Sequence, residues 1–283
     1  KVVKRLKEPI LRPEFDYEKR GVEDPRITYL GGIYYLFYTA FDGKNALISY
    51  ATSPDLVHFT KRGIVSPRIS YDEAEDIFRG SGIKEKYTKF EIIFKRKEGK
   101  EVLLFEKDAS LFPQKINNKF ALLHRILPGI QIIYFDNFSE FTDNRWRDYF
   151  KNLGNFIVLD PLFWFESRNV GGGCPPIKTE DGWLIIYHAV EDTPSGKIYH
   201  AAAALLDLKN PLKVLGRLSE PLFSPEALWE KNGVIDSIVF PTGAVMRDKR
   251  LYIYYGAADT VIAAKSVNLS ELLTELKKSP QEL

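Results

Sequence analysis

Short runs of β-branched and aromatic residues, bounded by Gly, Asn or Asp, dominate the pattern of hydrophobic and polar positions along the chain. Such runs are typical of β-strands. Four of them directly follow a pair of turn residues, and each is followed by another strand-like run. The four are 33–39, 120–124, 183–188 and 251–255. The pattern predicts an all-β protein.

The turn pairs before these runs recur at similar intervals. They begin at residues 31, 117, 181 and 248, which are 86, 64 and 67 residues apart. A repeat of about 65 residues fits if the first interval carries an insertion of about 20. We expect residues 1–283 to form a single β-propeller domain with four visible blades, and a fifth blade would lie upstream of residue 1. Two stacked β-sandwich domains are the alternative.

Two segments stand outside this repeat. The surplus in the first interval, about residues 66–106, is dense in charge; its pattern favours a short helix at 68–77 and two strand-like runs within 84–104. We expect a surface hairpin beside the ligand-binding face or a partner, and a solvated charged excursion is the alternative. The amphipathic pattern over 269–278 predicts a terminal helix.

The charges of the chain nearly cancel, since 40 Lys and Arg residues against 38 Asp and Glu give a formal net charge of +2. This balance provides no global field for nucleic acid or an acidic membrane, so we expect neither as a partner. Cys174 is the single cysteine and the four histidines are far apart, which argues against disulfides and a metal site. No apolar stretch approaches the roughly 18 residues that span a bilayer. We expect a cytoplasmic protein, and a homo-oligomer stays open.

Asp24 is the first candidate for acid–base chemistry. It lies in Glu23-Asp-Pro-Arg26, directly before the strand-like run 27–30, and Pro25 favours an extended conformation for the residue before it. We expect its carboxylate to project from the entrance of an innermost strand, where propellers bind ligands. A turn aspartate with an ordinary salt bridge to Arg26 is the alternative.

Polar residues recur at corresponding points of the other repeats. Asp108 matches Asp24 in position, and three glycines enter the third repeat, where they allow a ligand to approach or the chain to turn sharply. Histidines end two of the second strands, and aspartates follow two others: His124, His188, Asp42 and Asp259. The chain has no GxSxG elbow, glycine-rich phosphate loop or HExxH motif. A sugar site built from carboxylates, His and aromatic side chains fits best, because glycoside chemistry needs an acid with a raised pKa.

Longer segments carry these candidates: Gly21–Thr28, Tyr38–Gly43, Ala51–Asp55, Lys107–Pro113, Lys115–Arg125, Pro175–His188, Ala203–Leu208, Val239–Ala244 and Tyr254–Asp259. In content and order they resemble glycoside hydrolase family 130, the β-mannoside phosphorylases. The resemblance implies a five-bladed propeller that cleaves β-mannosides with phosphate and inversion, giving α-mannose 1-phosphate. A minority of the family hydrolyse instead.

The resemblance also implies roles for individual residues. Asp24 would be the general acid, acting through the mannose 3-hydroxyl as a proton relay, while phosphate attacks C1 from the opposite face. Phosphate would be bound by Arg62, Lys107 and His124. The sugar hydroxyls would be oriented by seven side chains: Arg26, Asp42, Asn45, Asp108, His188, Tyr199 and Asp259. No cofactor or metal is implied, since inorganic phosphate is a co-substrate beside the β-mannoside.

The chain departs from the family pattern at several points. The family's first blade would lie upstream of residue 1, Gly171-Gly-Gly-Cys174 replaces Gly-Ala-Gly, and Ser237 stands where many members have Asn. Two other functions stay open. An inverting mannoside hydrolase would need a carboxylate base, for which Glu166 and Asp236 are candidates. A catalytically silent glycan-binding propeller would need none.

Overall fold

The computed structural model of the chain describes residues 5–98 and 101–278. The strands in these residues form four sheets, all antiparallel, which succeed one another along the chain. Each sheet contains one of the four predicted turn pairs. The prediction of an all-β propeller with four blades in this chain is therefore confirmed.

The sheets are built mainly from neighbouring strands. The first has the order β1 (Gly21–Leu30), β2 (Ile33–Phe41), β3 (Ala46–Ser53), β4 (Thr60–Ile64). The second has the order β5 (Lys107–Leu111), β6 (Phe120–Arg125), β7 (Ile130–Phe135), β8 (Ile157–Leu159). In the third, both β9 (Asn169–Gly172) and β10 (Ile177–Lys178) pair with β11 (Trp183–Thr193), followed by β12 (Gly196–Leu206) and β13 (Val214–Arg217). The fourth comprises β14 (Val239–Arg247), β15 (Arg250–Ala257) and β16 (Val261–Asn268).

The hairpin turns follow from the residues that form them. In three sheets both turn residues have positive φ, as a type I′ turn requires: Gly31 and Gly32, Asn117 and Asn118, Asp248 and Lys249. In the third sheet the turn is closed by Thr179, whose backbone N–H and hydroxyl both donate to the carbonyl of Gly182. Such short turns fix the register of the two strands they join. Each innermost strand therefore enters its sheet at a defined position.

The hydrophobic core lies between successive sheets. Successive residues of a strand point to opposite faces, so Leu122 packs toward the first sheet while Leu123 packs toward the third. Ile185 and Ile186 divide in the same way between the second and fourth sheets. The middle strands β6 and β11 are thus apolar on both faces, which explains why their sequences read as continuous hydrophobic runs rather than alternating ones.

Five α-helices lie outside the sheets: α1 (Tyr71–Gly80), α2 (Glu85–Glu98), α3 (Asp143–Lys151), α4 (Leu228–Lys231) and α5 (Leu269–Lys278), in the described ranges. The terminal helix predicted over 269–278 is confirmed as α5. The short helix predicted at 68–77 is confirmed as α1, which begins three residues later and has Ser70 as its N-cap. No helix of the described ranges has both the length and the apolar character needed to cross a membrane.

The two strand-like runs expected within 84–104 are wrong, because Glu85–Glu98 forms α2 and, in the described residues that follow up to 104, only Leu103 makes an isolated bridge, to Ser70. Lys and Glu are frequent in this segment and favour a helix over a strand. Tyr87 is completely buried at the start of α2, and its hydroxyl donates to Asp160 at 2.7 Å. The insertion is therefore a helical hairpin that is anchored to the second sheet.

Candidate active site

Two innermost strands carry the same irregularity. The pairing of β1 with β2 shifts between Glu23 and Arg26, and the pairing of β5 with β6 shifts between Lys107 and Ser110. Asp24 and Asp108 lie within these bulges with φ values of +54° and +62°. The left-handed region is tolerated by Asp better than by most non-Gly residues. The expected correspondence between the two aspartates is therefore present in the backbone.

A cavity of about 540 Å³ opens at this end of the sheets. Its lining includes residues from the first, second and fourth sheets and from β12 of the third. Five of the site residues predicted from the sequence line it: Asp24, Lys107, Asp108, Tyr199 and Asp259. Additional charged and aromatic lining comes from Glu23, Phe105, Arg125 and Phe240. Carboxylates, cations and aromatic faces thus share one concave site, which is the composition that sugar and phosphate binding require.

Asp24 is the carboxylate in this cavity with the properties of a proton donor. Burial raises the pKa of Asp24, and the negative charge of Asp108 acts in the same direction. The neighbouring Arg26 opposes this effect, but it does not cancel it. A raised pKa keeps the carboxyl group protonated at higher pH, as a general acid must be.

Asp108 has the opposite electrostatic character. Burial works to raise the pKa of Asp108, but Arg125 and Arg26 together hold it below its ordinary value. Its carboxylate oxygens lie 3.0 Å from the Arg26 guanidinium and 2.7 Å from that of Arg125. Asp108 is therefore an ionised anchor between two arginines rather than a proton donor.

Arg26 braces the cavity from behind and is not part of its lining. Its guanidinium is only 1 % exposed and donates to the carbonyls of Asp24, Gly172 and Gly173 as well as to Asp108. These bonds fix the bulge that carries Asp24. The predicted role of Arg26 in orienting sugar hydroxyls stays a prediction, and in this structure its donors are engaged by the protein.

The glycine run of the third sheet has a steric cause. A Cβ on Gly171 would lie 2.4 Å from the His188 ring and 2.7 Å from Asp108, and one on Gly172 would lie 2.7 Å from the Asp108 carbonyl. The glycines therefore let β9 approach the second sheet closely. His188 is buried behind this contact with its Nε2 3.9 Å from Asp108, and burial lowers its pKa to about 3. His188 is neutral and lies behind Asp108, outside the cavity lining.

Two cations meet at the cavity, but they are not the set that the sequence predicts. Lys107 and Arg125 are partners across β5 and β6. The Lys107 Nζ is 3.5 Å from Glu23, and Arg125 keeps a buried Nε without a hydrogen-bond partner among the described residues. A buried, unsatisfied donor on a cation is suited to bind an anion.

Arg62 and His124 do not join Lys107 at the cavity, so the structure brings one of the three predicted phosphate-binding residues to it. Arg62 is exposed, and its Nε donates to Thr52 at 2.9 Å on the outer part of the first sheet. His124 is completely buried, with Nδ1 2.6 Å from Glu106 and Nε2 2.8 Å from the Tyr149 hydroxyl. Neither side chain lines the cavity.

Asp42 and Asn45 also lie away from the cavity and stabilise the β2–β3 loop. The Asp42 carboxylate accepts hydrogen bonds from the backbone of Lys44 and from both the backbone and the side chain of Asn45. The Asn45 carbonyl oxygen accepts from the backbone of Leu103. These groups are thus paired within the protein, and the structure does not bring either side chain to the cavity, where a sugar-binding role was predicted.

The two carboxylates proposed as a hydrolytic base are poorly placed for it. Glu166 is completely buried, hydrogen-bonded to Tyr187 at 2.7 Å and paired with Arg217 at 2.8 Å. Asp236 is exposed and accepts a hydrogen bond from the Gly233 backbone. Neither lines the cavity. In the described part of the chain, no group of three or more His, Cys, Asp or Glu side chains is arranged to hold a metal ion.

Arg125 is the site residue that sequence reasoning misses. Its position beside His124 at the end of a strand was visible, but its proximity to Lys107 depends on the register of β5 and β6. Phe240 gave a weaker signal as the entrance to the fourth sheet; its ring lies 4.5 Å from that of His188. Pairing across strands, rather than spacing along the chain, is the missing information.

The model of a family described as beta-1,4-mannooligosaccharide phosphorylase matches residues 3–278. The chain belongs to this family, glycoside hydrolase family 130. The fold of the family is a five-bladed propeller, with which the four antiparallel sheets agree. The resemblance found in the sequence is confirmed.

Relatives within the family are similar over nearly all of this chain. The 1,2-beta-oligomannan phosphorylase of Thermoanaerobacter sp. (strain X514) is 37% identical, with 95% of this chain and 75% of the relative covered. The beta-1,4-mannooligosaccharide phosphorylase of Ruminococcus albus is 32% identical over 62% of this chain and 52% of its own length. A solved structure of beta-1,2-mannobiose phosphorylase from Listeria innocua, in complex with beta-1,2-mannobiose, superposes with a TM-score of 0.72 at 29% identity. That match covers 96% of this chain, which spans 65% of the Listeria chain.

Proposed function

We propose that this protein phosphorolyses β-mannosides, with Asp24 as the general acid and with Lys107 and Arg125 as the cations that bind phosphate. The observation that carries the proposal is the convergence of a half-buried carboxyl group of raised pKa with these two cations in one cavity. The family relationship supports the same reaction.

In the proposed reaction, a phosphate oxygen forms a bond to C1 of the mannosyl unit as the bond from C1 to the glycosidic oxygen breaks. Asp24 supplies the proton that the departing oxygen gains, through the mannose 3-hydroxyl as the family resemblance implies. Attack from the face opposite the leaving group inverts the anomeric centre and gives α-mannose 1-phosphate. Lys107 and Arg125 stabilise the phosphate charge during attack.

Tyr199, Asp108 and Asp259 are the predicted sugar-binding residues that this site retains. Tyr199 offers an aromatic face and a hydroxyl at the cavity wall, and Asp259 offers an exposed carboxylate in a left-handed turn with φ +53°. Carboxylates accept hydrogen bonds from sugar hydroxyls, and aromatic rings pack on the apolar faces of sugars. We assign Tyr199 and Asp259 to the mannoside, whereas the carboxylate of Asp108 lies at the cavity wall already paired with Arg26 and Arg125.

We further propose a β-1,2 linkage for the substrate. The proteins named for β-1,2-linked mannosides are similar over 91–95% of this chain, whereas the one named for β-1,4-linked mannooligosaccharides is similar over 62%. The test is to incubate the protein with β-1,2- and β-1,4-mannobiose, with and without phosphate, and to measure mannose 1-phosphate and free mannose. Formation of mannose 1-phosphate from the β-1,2 substrate is expected. Release of free mannose without phosphate would establish a hydrolase instead, and no turnover would favour a glycan-binding protein.

A further inference from the structure

A buried tyrosine recurs beneath the cavity in three of the four sheets. In each of these sheets the tyrosine comes one residue before a particular middle-strand residue. The Cα partner of that next residue lies at the bulge or the entrance of the innermost strand. The three are Tyr38, Tyr187 and Tyr255. Each hydroxyl donates to a buried glutamate at 2.6–2.7 Å, and each glutamate is also paired with Lys or Arg from an outer strand. Each of these three sheets therefore contains a buried Tyr–Glu hydrogen bond, and a Lys or Arg side chain balances the charge of the glutamate.

His124 takes the place of this tyrosine in the second sheet, since its neighbour Arg125 is the Cα partner of Lys107. Its Nε2 is 2.8 Å from the Tyr149 hydroxyl, which itself donates to the carbonyl of Ile132 at 3.0 Å. Because the hydroxyl has only one proton, it accepts from His124, and Nε2 therefore carries a proton.

The other ring nitrogen faces Glu106. The distance between Nδ1 and the carboxylate is 2.6 Å, and both side chains are completely buried. The pair is at ion-pair distance, although its angles are not those of a regular hydrogen bond. Among the described residues, Glu106 has no ion pair with Lys or Arg, so His124 takes the position beside the buried glutamate that an outer-strand cation takes in the other sheets.

This pair lies directly beneath the two cavity cations. Glu106 precedes Lys107 at the start of β5, and His124 precedes Arg125 at the end of β6. Successive side chains of a strand point to opposite faces. Glu106 and His124 therefore point into the protein interior, while Lys107 and Arg125 reach the cavity. The strand register shifts immediately after Lys107, where regular pairing no longer fixes the two strands. A contact that holds β5 and β6 together at this point therefore sets the direction of both cationic side chains.

We propose that Glu106, His124 and Tyr149 form a buried clamp that positions Lys107 and Arg125 for phosphate. This inference rests on the proposed function. His124 acts through the two cations and is not a phosphate ligand. Because His124 contacts the Glu106 carboxylate, it also keeps this group from drawing Lys107 or Arg125 away from the anion.

The test compares Glu106→Gln and Tyr149→Phe with Tyr255→Phe as a matched control. Glu106→Gln keeps the size of the side chain but removes its charge, and Tyr149→Phe removes only the hydroxyl that fixes the imidazole. Tyr255→Phe removes a hydroxyl from the corresponding position of the fourth sheet, whose cavity residue is Gly256. Steady-state kinetics with varied phosphate at saturating mannoside separates KM from kcat. Displacing catalytic groups by about 1 Å costs up to about 10²-fold, so we expect phosphate KM to rise about tenfold or more in both clamp variants, with kcat and mannoside KM changed much less.

The control should keep the phosphate KM of the wild type even if its Tm falls. Equal phosphate KM in wild type and both clamp variants would overturn the proposal, as would a rise of the same size in the control. Should Glu106→Gln not fold, the milder Tyr149→Phe, which introduces no unpaired charge, decides the question.

A second measurement does not depend on turnover. In protein labelled with ¹⁵N at His and Arg, the Arg125 Nε and His124 ring resonances should both shift in Glu106→Gln and stay unchanged in Tyr255→Phe. Unchanged Arg125 resonances in Glu106→Gln would refute the clamp even in an active enzyme. If the wild-type protein makes no mannose 1-phosphate but the Glu106→Gln variant shows these shifts, the proposed function is refuted and the clamp stands.

Discussion

Replacing Asp24 by Asn is the most direct test of the proposed chemistry. The amide keeps the shape of the carboxyl group but has no proton to transfer at neutral pH. Loss of a general acid lowers the rate by about 10²–10⁴-fold, or about 2.7–5.5 kcal/mol in the activation barrier. We expect a loss in this range in kcat, with mannoside and phosphate binding largely kept.

The backbone at Asp24 decides which variant gives a clean result. Its φ of +54° is tolerated by Asn, whereas Ala in a left-handed conformation is strained by roughly 1–2 kcal/mol. Asp24→Ala would therefore combine a backbone effect with the chemical one. Asp248→Asn is a matched control, because it makes the same substitution at a left-handed residue with φ +49° in the exposed β14–β15 turn. Its kcat should equal that of the wild type.

Stability provides a second check on Asp24→Asn. Burial raises the pKa of Asp24, so the folded state holds its proton more tightly than the unfolded chain does. The stability contributed by this group is present at low pH and is lost as pH rises through the raised pKa. A neutral Asn lacks that penalty, so the Tm of the variant at pH 7 should equal or exceed that of the wild type. Near-normal kcat in a folded Asp24→Asn enzyme would refute the assignment of the acid.

Three further predictions concern the site and its frame. Lys107→Ala and Arg125→Ala should each raise the phosphate KM by about 10–100-fold, as loss of a charge-assisted hydrogen bond implies. Arg62→Ala should leave the phosphate KM unchanged. A phosphate titration in which Arg62→Ala has the larger effect would restore the assignment made from the sequence. The wild-type kcat should fall with rising pH as Asp24 ionises, and a pH profile whose alkaline limb persists in Asp24→Asn would assign that limb to another group. Glu166→Gln leaves Arg217 buried without its charge partner, so denaturant unfolding should show a loss of about 3–5 kcal/mol, whereas an unchanged midpoint would contradict the ion pair.

The sequence predicted the blades well because their signals are local. The turn residues at 31–32, 117–118 and 248–249 all adopt positive φ, which Gly, Asn and Asp favour and which Lys249 adopts beside Asp248, and each pair is flanked by strands. The insertion was predicted less well. A local run of β-branched residues within 84–104 suggested strands, but helix-forming neighbours and the burial of Tyr87 against the second sheet outweigh it.

The site was only partly predictable, for a different reason. Asp24, Lys107 and Asp108 lie at strand entrances, and that position along the chain is enough to bring them to one end of a propeller. Whether a side chain at the end of a middle strand reaches the cavity depends on which face of the strand it occupies. His124 and Arg125 are adjacent in sequence and lie on opposite faces, so a shift of one residue exchanges a buried structural group for a cavity cation.

The same alternation explains how one repeat yields two aspartates with different chemistry. Asp24 and Asp108 share a bulge and a left-handed backbone, yet the pKa of Asp24 is raised and that of Asp108 is lowered. The difference comes from their neighbours, because Asp108 contacts two guanidinium groups while Arg26 reaches Asp24 only through its backbone carbonyl. Where the pKa values of two neighbouring carboxyl groups are shifted in opposite directions, the group with the raised pKa holds the proton. Of the two, Asp24 is therefore the carboxyl group that we propose as the proton donor, while Asp108 holds Arg26 and Arg125 in place.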